Sequence, residues 1–318
     1  MSDAFVFPGQ GSQSVGMASA FTSAYKVGAD TMAEIEDALS FKLSDLIENG
    51  SIEELTKTEN AQPAIFAVSM ICVRILEKEY GYDFSKRCKY LAGHSLGEYS
   101  ALCTAGVFSL ADAAKIVQLR GRVMSNAFPE REKCAMVALL GVGVGDVEPL
   151  LPSENVEENE VCVIANDNSD TQVVVSGYRK SVLNFVKLAK SKLSIKMAIE
   201  LNTSGPFHSS LMGEASLKFD QALSAFIPQD FKVPVIMNLS AKPLCSKEQV
   251  SEYMIKQMCS RVRWRETTQQ LVDDTEIDQV VEVAPGRTLS KMLTRSFPDA
   301  KVLALDSVSE IEKFINSK

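Results

Sequence analysis

Short apolar runs that end in glycine-rich loops are the first pattern in the chain. Residues 4–7 form a continuous apolar run that stops at Pro8 and Gly9, and residues 89–92 lead into the sequence GHSLGEYSAL. Each run is typical of a buried strand that enters a loop. Helical spacing of apolar residues follows near 31–39 and over 63–80, where we expect Pro63 in the first turn and Gly81 just past the end.

Two further helices are predicted before residue 127. One covers residues 96–105 and ends at Gly106. The next begins after Ser109, because Asp112 lies three residues further on and the pair forms a capping-box pattern.

The pattern changes at Cys134. Strands are predicted at 135–142, 161–165, 172–176 and 195–201, and helices at 145–151 and 179–190. This β-α-β-β-α-β order is typical of a ferredoxin-like unit. Strands at 233–239, 280–283 and 302–305 then alternate again with helices, so we predict an insertion within a larger unit.

The resulting fold class is α/β. We expect a hydrolase-like, mostly parallel sheet formed by residues 1–127 and 202–318 and covered by helices on both faces. Residues 128–201 are expected to form the inserted ferredoxin-like α+β subdomain.

Residues 93–97, Gly-His-Ser-Leu-Gly, match the G-x-S-x-G pattern between a predicted strand and a predicted helix. In a nucleophile elbow the serine lies at a strained turn, and small flanking residues let strand and helix approach closely. The alternative is a serine that only caps a helix after a glycine turn. We favour Ser95 as a nucleophile because the motif lies in the strand–turn–helix context that this chemistry requires.

A serine nucleophile needs a base, and the chain contains two histidines, His94 and His208. Neighbouring side chains diverge at a sharp turn, so His94 is poorly placed to act on Ser95. His208 lies in a loop of Gly, Pro and Ser residues rather than in an apolar stripe. It is therefore the expected base.

Arg120 lies within the apolar stripe of the helix that follows Ser109. It is four residues from both Ile116 and Met124, whereas Arg122 points away from that stripe. A buried arginine needs an anion because an unpaired buried charge is costly. The anion is either an internal carboxylate or the carboxylate of a substrate, which a guanidinium binds with two hydrogen bonds.

The loop at residues 8–13, Pro-Gly-Gln-Gly-Ser-Gln, follows the first strand but lacks the lysine and the spacing of a phosphate-binding loop. We expect it to offer a main-chain N–H group to an oxyanion beside Ser95. The alternative is a tight turn that needs glycine only for its conformation.

Composition excludes several classes of protein. The 318 residues include 41 acidic and 33 basic side chains, and this net charge of −8 argues against nucleic-acid binding. The two histidines and the absence of CxxC spacing predict no metal site. Seven cysteines, an odd number and mostly in apolar runs, indicate buried thiols in a reducing compartment. The N-terminal apolar run is too short for a signal peptide. We therefore expect a cytoplasmic protein with no membrane partner.

The motifs together resemble the malonyl-CoA:acyl carrier protein transacylase family. The resemblance rests on residues 7–13, 93–102, 120–122, 172–177, 204–208 and 282–286, which follow the family order along nearly the whole chain.

The resemblance implies that Ser95 takes a malonyl group from coenzyme A and passes it to the phosphopantetheine thiol of acyl carrier protein for fatty acid elongation. It implies His208 as base, Arg120 as the malonyl carboxylate clamp, and the N–H groups of Gln10 and Leu96 as oxyanion hole. It also implies that the main-chain carbonyl of Gln257 orients the histidine. Phe207 and His94 are expected beside the substrate, no cofactor is expected, and the protein is expected to be a monomer.

Two other functions stay open at this point. One is a serine thioesterase or esterase, although a general esterase has no need of a buried cation. The other is the same transfer with a different acyl group, such as methylmalonyl.

Two basic clusters are candidates for docking an acidic carrier protein. The lysine cluster consists of Lys187, Lys190, Lys192 and Lys196, and the arginine cluster of Arg261, Arg263 and Arg265. We favour the lysine cluster because it belongs to the predicted insertion. The alternate arginines would share one face only if their segment is extended.

Overall fold

A computed structural model describes residues 2–128, 130–151 and 160–317. The larger of its two sheets has six strands, in the order β11-β10-β1-β2-β7-β8. These strands are β1 (Ser2–Phe7), β2 (Cys88–Gly93), β7 (Val235–Met237), β8 (Lys242–Leu244), β10 (Ile277–Val283) and β11 (Val302–Leu305). All neighbours pair in parallel except β7 and β8, so the predicted mostly parallel sheet is confirmed.

The second sheet has the order β6-β3-β5-β4-β9. Its strands are β3 (Cys134–Leu140), β4 (Cys162–Ser169), β5 (Gln172–Tyr178), β6 (Met197–Glu200) and β9 (Val262–Arg263). The first four are antiparallel neighbours and form the ferredoxin-like unit. The fifth strand, β9, was not predicted. It comes from the later part of the chain and pairs in parallel with β4, which joins the two parts of the fold.

The helices fill the connections between strands. In chain order they are α1 (Ser19–Ala24), α2 (Lys26–Leu39), α3 (Leu43–Asn49), α4 (Ile52–Thr56), α5 (Thr58–Lys78), α6 (Phe84–Arg87), α7 (Gly97–Thr104), α8 (Leu110–Ser125), α9 (Val144–Val147), α10 (Arg179–Lys192), α11 (Gly213–Leu223), α12 (Val250–Gln257), α13 (Trp264–Asp273), α14 (Thr288–Ser296) and α15 (Val308–Asn316). Ser109 caps α8 by accepting a hydrogen bond from the N–H of Asp112, as its sequence predicts. Among the described residues, no helix is long and apolar enough to cross a membrane.

One local prediction is wrong. Pro63 is not in the first turn, because α5 already begins at Thr58 and the N–H groups of Asn60 and Ala61 bond to the carbonyl of Lys57. The buried positions of α5 continue on the N-terminal side of the proline and hold that extra turn against the core. Arg261, Arg263 and Arg265 do not lie on one extended segment, since β9 ends at Arg263 and α13 begins at Trp264.

Helices cover both faces of the large sheet. Phe5 and Phe7 of β1 pack into the core that contains α5 and α8, whereas Ala4 and Val6 face the opposite core, where Trp264 of α13 packs. In the second sheet, Met136 of β3 faces the main core, while its neighbour Val137 packs beneath α10. The second sheet therefore lies with one face against the large unit, beside the end of β2.

Candidate active site

Ser95 lies at the sharp turn between β2 and α7. Its φ angle is 51°, in the left-handed region that L-residues rarely adopt. The turn closes only because both flanking residues are glycines. A Cβ atom on Gly93 would lie 1.9 Å from the carbonyl carbon of Gly97, and one on Gly97 would lie 2.1 Å from the carbonyl oxygen of Phe7. The glycines of the motif are therefore steric requirements of the elbow.

His208 lies against Ser95. Its Nε2 atom is 2.8 Å from the Ser95 Oγ atom, although 113 residues separate the two in sequence. His94, the other histidine, turns away and places its Nε2 atom 2.8 Å from Asn168 Oδ1. The structure thus brings the predicted nucleophile together with the distant histidine and not with the adjacent one.

Two main-chain carbonyls fix the His208 ring. Its Nδ1 atom lies 3.0 Å from the oxygen of Gln257 and 3.1 Å from the oxygen of Ser260. Since a carbonyl only accepts, Nδ1 carries the proton and Nε2 is left as an acceptor for the Ser95 hydroxyl. Burial and the nearby Arg120 guanidinium lower the pKa of His208 to about 3, which keeps the ring neutral.

Arg120 is 1% exposed and reaches the same point from α8. Nη1 donates to Gln62 Oε1 at 2.9 Å, and Nη2 donates to Gln257 Oε1 at 2.9 Å and to Ser95 Oγ at 3.1 Å. Within the described part of the chain, no carboxylate lies at ion-pair distance from it. Neutral amide oxygens hold this buried cation, so its charge is left for an anion beside Ser95.

A cavity of about 310 Å³ opens over these groups. Seven of the predicted site residues line it, namely Gln10, His94, Ser95, Leu96, Arg120, Phe207 and His208. Apolar side chains, among them Met124, Met136 and Leu201, complete the wall. The main-chain N–H groups of Gln10 and Leu96 bond to no acceptor among the described residues. Seven of the eight predicted site residues line this one cavity, and the eighth, Gln257, lies directly behind it.

Comparison with known proteins gives the family. Residues 4–312 match the family model described as the acyl transferase domain. The chain belongs to the acyl transferase family. It is 39% identical to the malonyl CoA-acyl carrier protein transacylase of Bacillus subtilis, over 99% of this chain and 96% of that protein. Identity to the transacylase of the same name from Haemophilus influenzae is 34%, over 98% of each.

Solved structures agree with this family. The acyl-carrier-protein-S-malonyltransferase of Bartonella henselae has a TM-score of 0.94 and 40% identity, covering 100% of this chain and 99% of that one. A malonyl-transacylase in complex with its type II PKS acyl-carrier protein has a TM-score of 0.92 and 31% identity, with both chains fully covered. The acyl transferase fold predicted from the motifs is thus confirmed.

Sequence reasoning missed several groups that hold the acyl transferase site together. Asn238 follows β7, and its Oδ1 atom accepts a 2.7 Å hydrogen bond from the N–H of Ser95. Gln62 in α5 holds Arg120, and Ser260 shares the proton of His208. The position of Asn238 at a strand end was the only sequence signal for any of them.

The structure gives no metal centre in the part of the acyl transferase that it describes, where no group of three or more His, Cys, Asp or Glu side chains could hold an ion. The cysteines in that part are all free thiols. Cys245 is exposed, so the sequence-based view of buried thiols does not hold for that residue.

Proposed function

We propose that the chain is a malonyl-CoA:acyl carrier protein S-malonyltransferase that supplies malonyl groups for fatty acid elongation. One observation carries this proposal. The buried Arg120 guanidinium has no carboxylate partner in the described chain and lies 3.1 Å from the Ser95 hydroxyl, where a free carboxylate on a bound acyl group would neutralise it. A three-carbon acyl group with a terminal carboxylate fits that spacing, and the named relatives act with the same group.

The first half-reaction loads the serine. Nε2 of His208 accepts the proton of the Ser95 hydroxyl as Oγ attacks the thioester carbonyl of malonyl-CoA. The carbonyl oxygen then becomes an oxyanion, and the free N–H groups of Gln10 and Leu96 stabilise it. The carbon–sulfur bond breaks, the coenzyme A thiolate takes the proton from His208, and a malonyl ester remains on Ser95.

The second half-reaction reverses these roles. The phosphopantetheine thiol of acyl carrier protein gives its proton to His208 and attacks the ester carbonyl. The carbon–oxygen bond breaks, the Ser95 oxygen recovers the proton, and the carrier leaves with the malonyl thioester. The reaction consumes only malonyl-CoA and the carrier thiol and forms coenzyme A and the malonyl carrier thioester, so we propose a reaction without a cofactor.

Arg120 has a second effect in this scheme. After burial, the charge of Arg120 is the largest cause of the lowered pKa of His208. A bound malonyl carboxylate neutralises that charge. Malonyl binding therefore makes the base stronger. The positions of Phe207 and His94 in the cavity wall support a role in limiting the size of the acyl group.

Three broader proposals accompany this function. We propose a cytoplasmic enzyme that acts as a monomer. We also propose that residues 1–127 and 202–318 form the catalytic domain and residues 128–201 the inserted subdomain. The four antiparallel strands β3 to β6 all come from residues 128–201 and support this division, and β9 joins them from the later segment.

Intact mass after mixing with malonyl-CoA tests the function. We expect a malonyl adduct on Ser95 that disappears when a carrier thiol is added. An adduct lost to water at the same rate with and without the carrier would favour the thioesterase alternative. Faster loading from methylmalonyl-CoA than from malonyl-CoA would favour the other acyl group.

A further inference from the structure

Glu98 is a buried carboxyl group that the reaction steps above do not use. It lies in α7, three residues after Ser95, is 0% exposed and does not line the cavity. Each of its oxygens accepts one hydrogen bond. Oε1 accepts from Nε2 of Gln257 at 2.9 Å, and Oε2 accepts from the main-chain N–H of Asn238 at 2.5 Å.

Both partners of Glu98 hold the main chain of Ser95. The Asn238 side chain accepts from the N–H of Ser95 and donates to the carbonyl of Gly93, at 2.7 Å each. Nε2 of Gln257 donates to the carbonyl of Ser95 at 2.9 Å. The strained turn is thus held on both sides by groups that bond to the same carboxylate.

Glu98 also decides which way the amide of Gln257 faces. An amide has one accepting and one donating end, whereas a carboxylate only accepts. With Nε2 bonded to Glu98 and to the Ser95 carbonyl, Oε1 is left to accept from Arg120. A reversed amide would point its NH₂ group at the guanidinium of Arg120 and its oxygen at the oxygens of Glu98 and Ser95. The hydrogen bonds of Gln257 to Arg120, Glu98 and Ser95 would then all be lost.

We propose that Glu98 is a positioning residue of the transfer reaction, which directs the acceptor end of Gln257 to Arg120 and seats the Ser95 turn through Asn238. This inference rests on the proposed function for the roles of Ser95 and Arg120. Burial raises the pKa of Glu98 to about 8, against the lowering by its hydrogen bond to Asn238, by Arg120 and by Gln257. Assays above that pH keep the carboxyl group ionised.

Glu98→Gln is the direct test because it preserves shape but replaces one accepting oxygen with a donating NH₂. One of the two N–H donors then faces another donor. We expect loading of Ser95 from malonyl-CoA to fall at least about tenfold, the effect of losing a hydrogen bond to a charged group. Loading from acetyl-CoA, whose acyl group has no carboxylate for Arg120 to bind, should fall at least about threefold less.

Glu282→Gln is the matched control. Glu282 is also 0% exposed, and each of its oxygens also accepts a hydrogen bond, here from the main-chain N–H groups of Leu289 and Ser290 at the start of α14. It does not line the cavity. We expect this variant to lose a similar amount of stability and to keep the wild-type ratio of malonyl to acetyl loading.

A double-mutant cycle with Gln257→Met separates positioning from a general structural effect. If Glu98 acts on Arg120 through Gln257, Glu98→Gln should no longer change the malonyl-to-acetyl ratio once Gln257→Met is already present. An additive effect on that ratio overturns the proposed route.

The results separate this inference from the function on which it rests. Failure of the wild-type protein to form a malonyl adduct on Ser95 overturns the proposed function. With the adduct present, an unchanged malonyl-to-acetyl ratio in Glu98→Gln overturns only the role of Glu98. Should that variant unfold, Glu98→Asp replaces it. Glu98→Asp keeps the carboxylate but shortens its reach by one methylene. An unchanged malonyl-to-acetyl ratio in this variant would also overturn the role of Glu98.

Discussion

The guanidinium of Arg120 donates a hydrogen bond to the hydroxyl of Ser95, with 3.1 Å between Nη2 and Oγ. The same hydroxyl lies 2.8 Å from Nε2 of His208. The proposed nucleophile therefore contacts both its proposed base and the cation proposed to bind the substrate. In the proposed reaction, selection of a carboxylate-bearing acyl group and activation of the serine both take place around one oxygen atom.

Arg120→Ala should shift substrate choice from malonyl toward acetyl. A bidentate, charge-assisted contact contributes about 1.5–3 kcal/mol, so malonyl loading should drop at least roughly tenfold relative to acetyl loading. Arg122→Ala is the control, because Arg122 is exposed on the same helix. Loading rates by intact mass give the ratio. An equal loss for both acyl groups would mean that Arg120 is structural.

Ser95→Ala should abolish the acyl-enzyme. No other group in the cavity has both the strained turn and the histidine contact that activate this hydroxyl. Intact mass after exposure to malonyl-CoA is the measurement. Ser100→Ala is the control, since Ser100 lies in α7 just after the turn, is fully buried and has an Oγ atom that bonds to no described residue. A malonyl adduct on the Ser95→Ala variant would place the nucleophile elsewhere.

His208→Ala should lower the rate of transfer by a factor of about 10² to 10⁴, the usual contribution of a general base. Single-turnover loading of Ser95 measures this step without the carrier reaction. A loss of less than about threefold would rule out His208 as the base and leave it as a group that only packs against the serine.

Protein stability should depend on pH through His208. The folded-state pKa is lowered to about 3, below the ordinary histidine value of 6.5, so only the unfolded chain gains this proton between those values. The unfolding free energy therefore falls as the pH drops below about 6.5, by up to about 1.4 kcal/mol per pH unit from this group. His208→Gln should show a shallower decline in urea titrations. Identical slopes would contradict the lowered pKa.

Reversing charges in the lysine cluster should slow the carrier step. Lys187 and Lys190 are exposed on α10 and form no ion pair with any described residue, whereas Arg261, Arg263 and Arg265 each pair with a carboxylate. Because α10 covers the face of the second sheet away from the cavity, the cluster would act through its field on the approaching acidic carrier.

The variant Lys187→Glu/Lys190→Glu should therefore transfer malonyl to the carrier more slowly, and with a weaker salt dependence, while loading from malonyl-CoA changes less. Lys291→Glu/Lys301→Glu alters the net charge by the same amount on other exposed lysines and is the control. An unchanged carrier rate at low salt would show that docking uses another surface.

Local patterns were sufficient for much of the fold and for the centre of the site. The strand β1, the capped helix α8 and the β-α-β-β-α-β order follow from apolar spacing and turn residues, because these depend on neighbours within a few positions. Gly93 and Gly97 indicated the elbow around Ser95, and a cation in an apolar stripe singled out Arg120. The predicted start of α5 was too late in the chain, because burial against the core extends the helix on the N-terminal side of Pro63, back to Thr58.

The groups that complete the site depended on tertiary structure alone. The side chain of Asn238 hydrogen-bonds to the main chain of Ser95, 143 residues away in sequence. The side chain of Gln257 also bonds to the main chain of Ser95, at a separation of 162 residues. Neither lies in a pattern with a recognisable period. The position of Asn238 at a strand end was a signal, but the sequence around a single amide does not show which distant group it will contact. The motif contained Glu98, but its use became visible only when the packed chain placed two donors against its two oxygens. Sequence determined which chemical groups were available, and packing over long separations decided which of them face one another.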